Sequence, residues 1–593
     1  MSSLAQAFYL NSREPVFARY DAPRERSRTS VLLLAPFGWE ETCSYRSRRA
    51  WARRLAADGH TALRIDLPGT GDSAGGPRDP GRLDDWIEAV ATAARWLAAD
   101  SPSGHCTAIG LGLGGLLAWN ATLEGAPIHD LVLWNVPSSG ATLVREFRAF
   151  SRLEASRLRR LNPDLKDDRT DGDESLMAAG FVLTPEAVSE LKAVDLTARP
   201  LPAATGRRVL LIGRDGLAPD PKLRAAAERS GAAVDDAPGT GWSAMMAVPV
   251  TAEPPWQTID AVATWLERGE PVADVPASQD RSEVAVVAPL TIDGRAITET
   301  PLICNGADGI LCEPADHQGS SDLTILLLNA GAIRRIGPNR MWVELARRWA
   351  ARGVASVRLD LAGIGDADGA DGFGGDEARF YGPEFVEQLR GVMDAIQTRR
   401  GTTRFGCLGL CSGAYWSLHA ALEDDRMDAA FMLNPLALLW DEALPTRRDA
   451  SKVRKLTRLV TYRRVLRGDI PLRRAPQILG AVARRTMAAA RARLRLGRDQ
   501  TPDGREDPLG AALDRLRDQG KQGFMLFTGG EPLRLELERS GHLRQPARWP
   551  NLHLELLSAP NDVHTLQPPR VQSEVHARVD RAIERTLAES RSG

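Results

Sequence analysis

Short continuous apolar runs alternate along the chain with stretches whose apolar residues recur at helical spacing. Val31-Leu32-Leu33-Leu34-Ala35-Pro36 and Ile325-Leu326-Leu327-Leu328-Asn329-Ala330 are such runs, the pattern of strands buried on both faces. A helical pattern follows each, from Arg46 through Gly59 and from Arg340 through Gly353. Each then enters an extended segment, Leu63-Arg64-Ile65-Asp66-Leu67-Pro68-Gly69-Thr70-Gly71-Asp72 in one case and Val357-Arg358-Leu359-Asp360-Leu361-Ala362-Gly363-Ile364-Gly365-Asp366 in the other, at a constant offset of 294. The likeness continues: Thr107–Gly115 aligns with Cys407–Ala414, Leu131–Asn135 with Ala430–Asn434, and Val209–Gly213 with Met525–Gly529. Self-similarity at this period predicts two copies of one domain. Strands alternating with helices predict, for each copy, a mostly parallel α/β sheet covered by helices on both faces.

The polar stretch Glu267–Asp280 carries two prolines and no apolar periodicity, and reads as the linker between a first domain over 1–270 and a second over 281–593. Each copy has a long insertion, over 139–200 and about 440–520, whose pattern is helical. In the second insertion, Arg447 to Arg498 holds 17 Lys or Arg against two acids, Asp449 and Asp469, on a chain of net charge -1. That patch suits an acidic partner; no nucleic-acid module accompanies it.

The 43% hydrophobic and 26% charged residues are those of a soluble globular protein. No apolar run is long enough to span a bilayer, and Met1–Phe8 lacks the pattern of a secretory signal, so a cytoplasmic location is expected. The six cysteines form no spaced metal motif and read as reduced thiols. No metal or cofactor site is predicted.

The candidate chemistry centres on Gly409-Leu410-Cys411-Ser412-Gly413, where an apolar strand pattern passes through a very tight turn into a helical one. Such a turn strains its central residue and requires small neighbours two positions away on either side. It lifts the Cys411 side chain to a pocket mouth and aims a helix N-terminus at it, which favours a thiolate. The first copy has Gly112 at the same position, with no side chain to react.

This strand–elbow–helix pattern resembles the nucleophile elbow of the α/β-hydrolase superfamily, with Cys in place of Ser. Leu359–Asp366 together with the elbow looks like the serine-aminopeptidase-like branch and the hydrolases associated with exosortase clusters. The resemblance implies the chain order nucleophile, acid, histidine. It assigns the acid to Glu531, just beyond the apolar run Phe524–Phe527, and the base to His564 in Ala559–Leu566, with Asp562 a weaker candidate. It implies oxyanion donors at the Ser412 amide and in the loop after the first long strand, at Gly331 or Ala332. In the first copy Asp215 stands near the acid position, but Trp242 or a neighbour replaces the histidine, so that copy is expected to be a degenerate hydrolase. A Cys elbow also resembles aminoacyl-shuttling transferases of nonribosomal peptide pathways and Cys-dependent dienelactone hydrolases. The leading expectation is therefore a thiol-dependent acyltransferase or thioesterase acting on an acyl thioester of a carrier protein or coenzyme A. Two alternatives stand beside it, a hydrolase of small esters or lactones and a non-catalytic scaffold.

Overall fold

The computed structural model describes residues 4–23, 26–99, 101, 103–161, 174–269, 275–276, 286–316, 321–369, 377–440, 507–544, 546–557 and 564–589. It contains two large sheets of matching order. The first has eight strands, in the spatial order Leu4–Leu10, Val16–Ala22, Thr61–Ile65, Ser30–Leu34, Cys106–Leu111, Ile128–Trp134, Arg208–Ile212 and Ala233–Ala237. The second has nine: Ala288–Ile292, Arg295–Cys304, Ala307–Pro314, Ala355–Asp360, Leu323–Leu327, Arg404–Leu410, Met427–Leu433, Gln522–Phe527 and Leu552–Leu556. In both, the N-terminal strands pair antiparallel and the rest run parallel. The antiparallel strands escape the sequence reading because they carry polar residues where the parallel strands are continuously apolar.

Each sheet has an apolar layer on either face. In the first unit, Trp86, Leu97 and Trp119 pack on one side and Trp51, Leu55 and Trp265 on the other. In the second, Phe385, Leu389 and Trp416 oppose Trp342, Leu345 and Val575. The helix expected from Arg46 begins earlier, at Trp39, and ends at Ala57. The helix expected from Arg340 spans Met341–Ala350.

The insertion over 139–200 is not wholly helical. Helices Gly140–Leu161 and Pro185–Ala193 flank a hairpin of Leu176–Ala178 with Phe181–Leu183, which the short apolar run and the Gly180 turn permit. Of the second insertion the structure describes the helix Pro508–Asp518, and Arg447–Arg498 lies outside the described residues. The boundary region 270–281 also lies outside them apart from Val275–Pro276, which pair with Arg26–Ser27 of the first unit.

The two units meet across a buried network of guanidinium and carboxylate groups. Arg64 Nη2 lies 3.0 Å from Asp366 Oδ1, and Arg358 Nη2 lies 3.1 Å from Asp72 Oδ1. These are equivalent pairs seen from opposite units, the arrangement of a two-fold interface. Within each unit the first Asp of the repeated segment holds the last: Asp72 N donates to Asp66 Oδ2 at 2.8 Å, and Asp366 N donates to Asp360 Oδ2 at 3.1 Å. A Cβ on Gly71 or Gly365 would come within 2.0 Å of that carboxylate, so the segment needs glycine there. Arg335, wholly buried, joins Asp72, Asp308, Asp360 and Asp366. Arg334 grips Asp66 through two bonds of 3.0 Å. Breaking a buried pair by removing one partner costs about 3–5 kcal/mol, because the other charge is left uncompensated.

Burial alone would raise Asp72 and Asp366. Arg335, Arg358 and Arg334 instead hold Asp72 below the ordinary carboxylate range, and Arg19, Arg64 and Arg335 hold Asp366 well below it. Glu299 is likewise held low by Arg347 and Arg358 against its burial. Stability from these three is full above the ordinary value of about 4 and is lost as pH falls through their folded values. Asp360 runs the other way: burial, then Asp366 and Asp308, push it up to about 6 against Arg335, so its contribution is lost as pH rises toward 6. Asp366→Asn is therefore expected to lower the melting temperature sharply at pH 7 and to flatten the acid limb of stability below about pH 4. Thermal unfolding as a function of pH checks both.

Candidate active site

The strand Arg404–Leu410 runs into the helix Ser412–Glu423 through Cys411, which has φ 62° and ψ -116°. A Cβ on Gly409 would lie 2.0 Å from the Gly413 carbonyl carbon, and one on Gly413 would lie 2.4 Å from Asn329 O. Both glycines are thus required by the turn. The half-buried Cys411 side chain packs at the edge of the second unit's apolar layer.

Glu531 sits immediately before the helix Pro532–Arg539 and is 3% exposed. Its Oε1 lies 2.9 Å from His564 Nδ1 and accepts from Thr528 Oγ1 at 3.3 Å. A carboxylate at Nδ1 orients the ring and leaves Nε2 for other work. His564 Nε2 is buried on the side of Cys411 and makes no hydrogen bond of ordinary geometry among the described residues. Burial would push this imidazole down, but interaction with Cys411 and then with Glu531 outweighs it and pushes it up to about 10. Cys411, His564 and Glu531 are therefore brought together; Asp562 lies outside the described residues.

Of the expected oxyanion donors, the Gly331 amide donates to Ser412 Oγ at 3.2 Å, so it adjoins residue 412 but is occupied in the resting structure. Ala332 follows it, half-buried against the core. The loop is fixed from below by the buried Asn329, whose Nδ2 donates to Ile333 O and Asp360 Oδ1 and whose Oδ1 accepts from Leu361 N. It is fixed from the side by Arg334 and Arg335, which reach Asp66 and Asp72 of the first unit.

Sequence reasoning missed two supports. Asn434, at φ 40°, donates to His564 O at 3.0 Å and accepts from Thr528 N at 2.8 Å, tying the histidine loop to the acid loop. Asn339 donates to Gln567 O and to Ala179 O, both at 2.8 Å, tying the histidine loop to the first unit's hairpin. A polar residue closing an apolar strand, as Asn434 does, was the available signal for the first; no local pattern marks the second.

The first unit keeps the frame with no side chain at the elbow. Gly112 holds φ 51° and ψ -115°, close to Cys411, and a Cβ there would meet nothing nearer than Pro36 at 3.7 Å. Asp215 accepts from the amides of Gly241, Trp242 and Ser243 at 2.7, 3.2 and 2.7 Å, so it caps the backbone where a histidine would stand. The Ser243 bond, with these amides, holds its carboxyl below the usual range. Trp242 is buried against Trp134, ring centroids 5.2 Å apart.

Residues 37–227 match the family model described as serine aminopeptidase, S33, about a third of the chain and all of it in the first unit. The fold is that of the α/β-hydrolase superfamily. Solved structures similar to the chain include an esterase of Pyrococcus furiosus (16% identity, 45% of this chain and 93% of that one, TM-score 0.29). A proline iminopeptidase of Mycobacterium smegmatis is similar at 16% identity, over 45% of this chain and 98% of that one, with TM-score 0.30. Est1E of Butyrivibrio proteoclasticus, solved with ferulic acid, is similar at 18% identity, over 44% and 98%, with TM-score 0.32. No curated protein sequence matches. No helix among the described residues of this α/β-hydrolase-fold chain is long and apolar enough to cross a membrane.

Among the described residues, Cys411 is the thiol that interacts with an imidazole, that of His564. Burial pushes Cys43 and Cys106 up to about 12 and Cys304 up to about 11, and raises Cys312 and Cys407 as well. Iodoacetamide at pH 7 is therefore expected to modify Cys411 first, and His564→Ala to slow that modification at least ~10-fold. Time-resolved peptide mass spectrometry reads both.

Proposed function

We propose that the second unit is a thiol-dependent acyltransferase or thioesterase and that the first unit is its non-catalytic support. The observation that carries this reading is the 2.9 Å bond from Glu531 to His564 Nδ1, which leaves a buried Nε2 on the side of an elbow cysteine. With the imidazole holding the proton, the Cys411 thiolate attacks the acyl carbonyl carbon. Negative charge moves to the carbonyl oxygen, where the Ser412 and Gly331 amides stabilise it once Gly331 leaves Ser412 Oγ. The carbon–sulfur bond to the leaving group then breaks, and His564 gives that thiolate its proton. In the second half-reaction an acceptor yields its proton to His564 and attacks the acyl-Cys411 carbonyl, releasing Cys411. Exchange between two sulfurs is nearly isoenergetic, which suits transfer. The basic stretch Arg447–Arg498 would suit an acidic carrier protein or a coenzyme A phosphate.

The second reading is hydrolysis of small esters or lactones by the same residues. It is favoured by the His564 side chain, 29% exposed, although its Nε2 is buried and water would have to enter to reach it.

Turnover of an acyl thioester is expected to vanish in Cys411→Ala and to fall about 10²–10⁴-fold in His564→Ala. Glu531→Gln should cost less than His564→Ala, because Asn434 still holds the histidine backbone. Full turnover in Cys411→Ala would refute the reading. A competing thiol acceptor that diverts the product from free acid to new thioester would distinguish transfer from hydrolysis.

A further inference from the structure

The first unit has lost its nucleophile but retains a cavity. The cavity opens beside the vacant elbow, at Pro36. Its walls are Phe37, Trp86 and Phe181, with Phe37 centroids 5.7 Å from Trp86 and 6.3 Å from Phe181. Leu67, Leu183 and Ala187 complete the apolar lining. The second unit closes it with Ile336, Asn339 and Arg340, so the cavity exists only where the two units meet.

Its polar groups are not equivalent. Glu41 and Asp66 are neutralised by Arg334, and Arg82 pairs with Glu14, Asp79 and Asp85. Arg340 is 6% exposed and forms no ion pair among the described residues. Its guanidinium donates to backbone carbonyls alone: Gly71 at 3.0 Å, Gly69 at 2.7 Å, Gly75 at 3.0 Å and Ser73 at 2.9 Å. Those bonds use four of its five N–H donors and none of them carries a full negative charge. Burial, with Arg347 nearby, pushes this group down to about 10. Glu344, Glu299 and Asp72 attract this cation from a distance, but its hydrogen bonds go to carbonyl oxygens, and a buried cation so held gains from an anion in direct contact.

We propose that this cavity binds a small carboxylic acid with an aromatic or branched apolar body, the carboxylate at Arg340 and the body against Phe37, Trp86 and Phe181. The proposal does not depend on Cys411 chemistry, and its test removes that chemistry. In full-length Cys411→Ala protein, calorimetric titration with 3-phenylpropionate should show one site per chain. The uncharged 3-phenylpropan-1-ol should bind at least ~10-fold more weakly, since a charge-assisted bond is lost. Ala187→Phe, which fills the cavity without altering charge, should weaken the acid at least ~10-fold and leave iodoacetamide modification of Cys411 unchanged when made in the unsubstituted chain. Absence of binding by 3-phenylpropionate and by isovalerate at millimolar concentration would overturn the proposal, as would equal affinity for acid and alcohol. A diazirine-bearing phenylpropionate provides a reading without any cavity variant. Adducts on residues 36–86, 180–187 or 336–340 support the site, and adducts confined to residues 377–589 overturn it.

Discussion

The structure depends on a reciprocal pair of buried ion pairs. Arg64 with Asp366 and Arg358 with Asp72 carry each unit's charge into the other's loop, at 3.0 and 3.1 Å. Charges removed from water are costly to leave single, so each unit completes what the other would leave exposed. A two-fold surface of this kind would serve a pair of identical chains; here the partners are consecutive in one chain, and each is free to diverge away from the interface. The elbow geometry is shared by both units, Gly112 at φ 51° and Cys411 at φ 62°, while a side chain stands at the elbow in one.

The same interface reaches the loops of the candidate site. The loop that carries Gly331 continues into Arg334 and Arg335, and their carboxylate partners include Asp66 and Asp72 of the first unit. The histidine loop is touched from the same side through Asn339 and Gln567. The first unit is thus part of the scaffold that positions the Gly331 and His564 loops, and Arg334 and Asn339 contact both that scaffold and the first unit's cavity wall. Preorganised amide and imidazole positions are where much of a catalytic advantage resides.

Much of this was legible in the sequence. Continuous apolar strands, the elbow glycines, and Glu531 with His564 in family order led to the parallel core and to a site whose members the structure brings together. Other parts left no local trace. The repeated Asp-Leu-x-Gly-x-Gly-Asp segment is readable as a repeat, but its work is to form a charged joint, which depends on contacts between residues about 300 positions apart. The antiparallel strands and the hairpin at 176–183 have too little periodicity to stand out. Asn339 and Arg340 sit in backbone conformations at φ 48° and 63° that a helical pattern hides, and their partners all lie far away in sequence.

The central claim is that one chain of two hydrolase-fold units forms a single acyl-accepting centre. The most direct measurement is incubation of the full-length protein with an S-acyl-N-acetylcysteamine thioester, acid quench, and peptide mapping of the acylated residue. The account predicts one acyl group per chain, on the peptide containing Cys411, and none on residues 1–269. An adduct elsewhere, or acylation that persists at the same rate in Cys411→Ala, would contradict it.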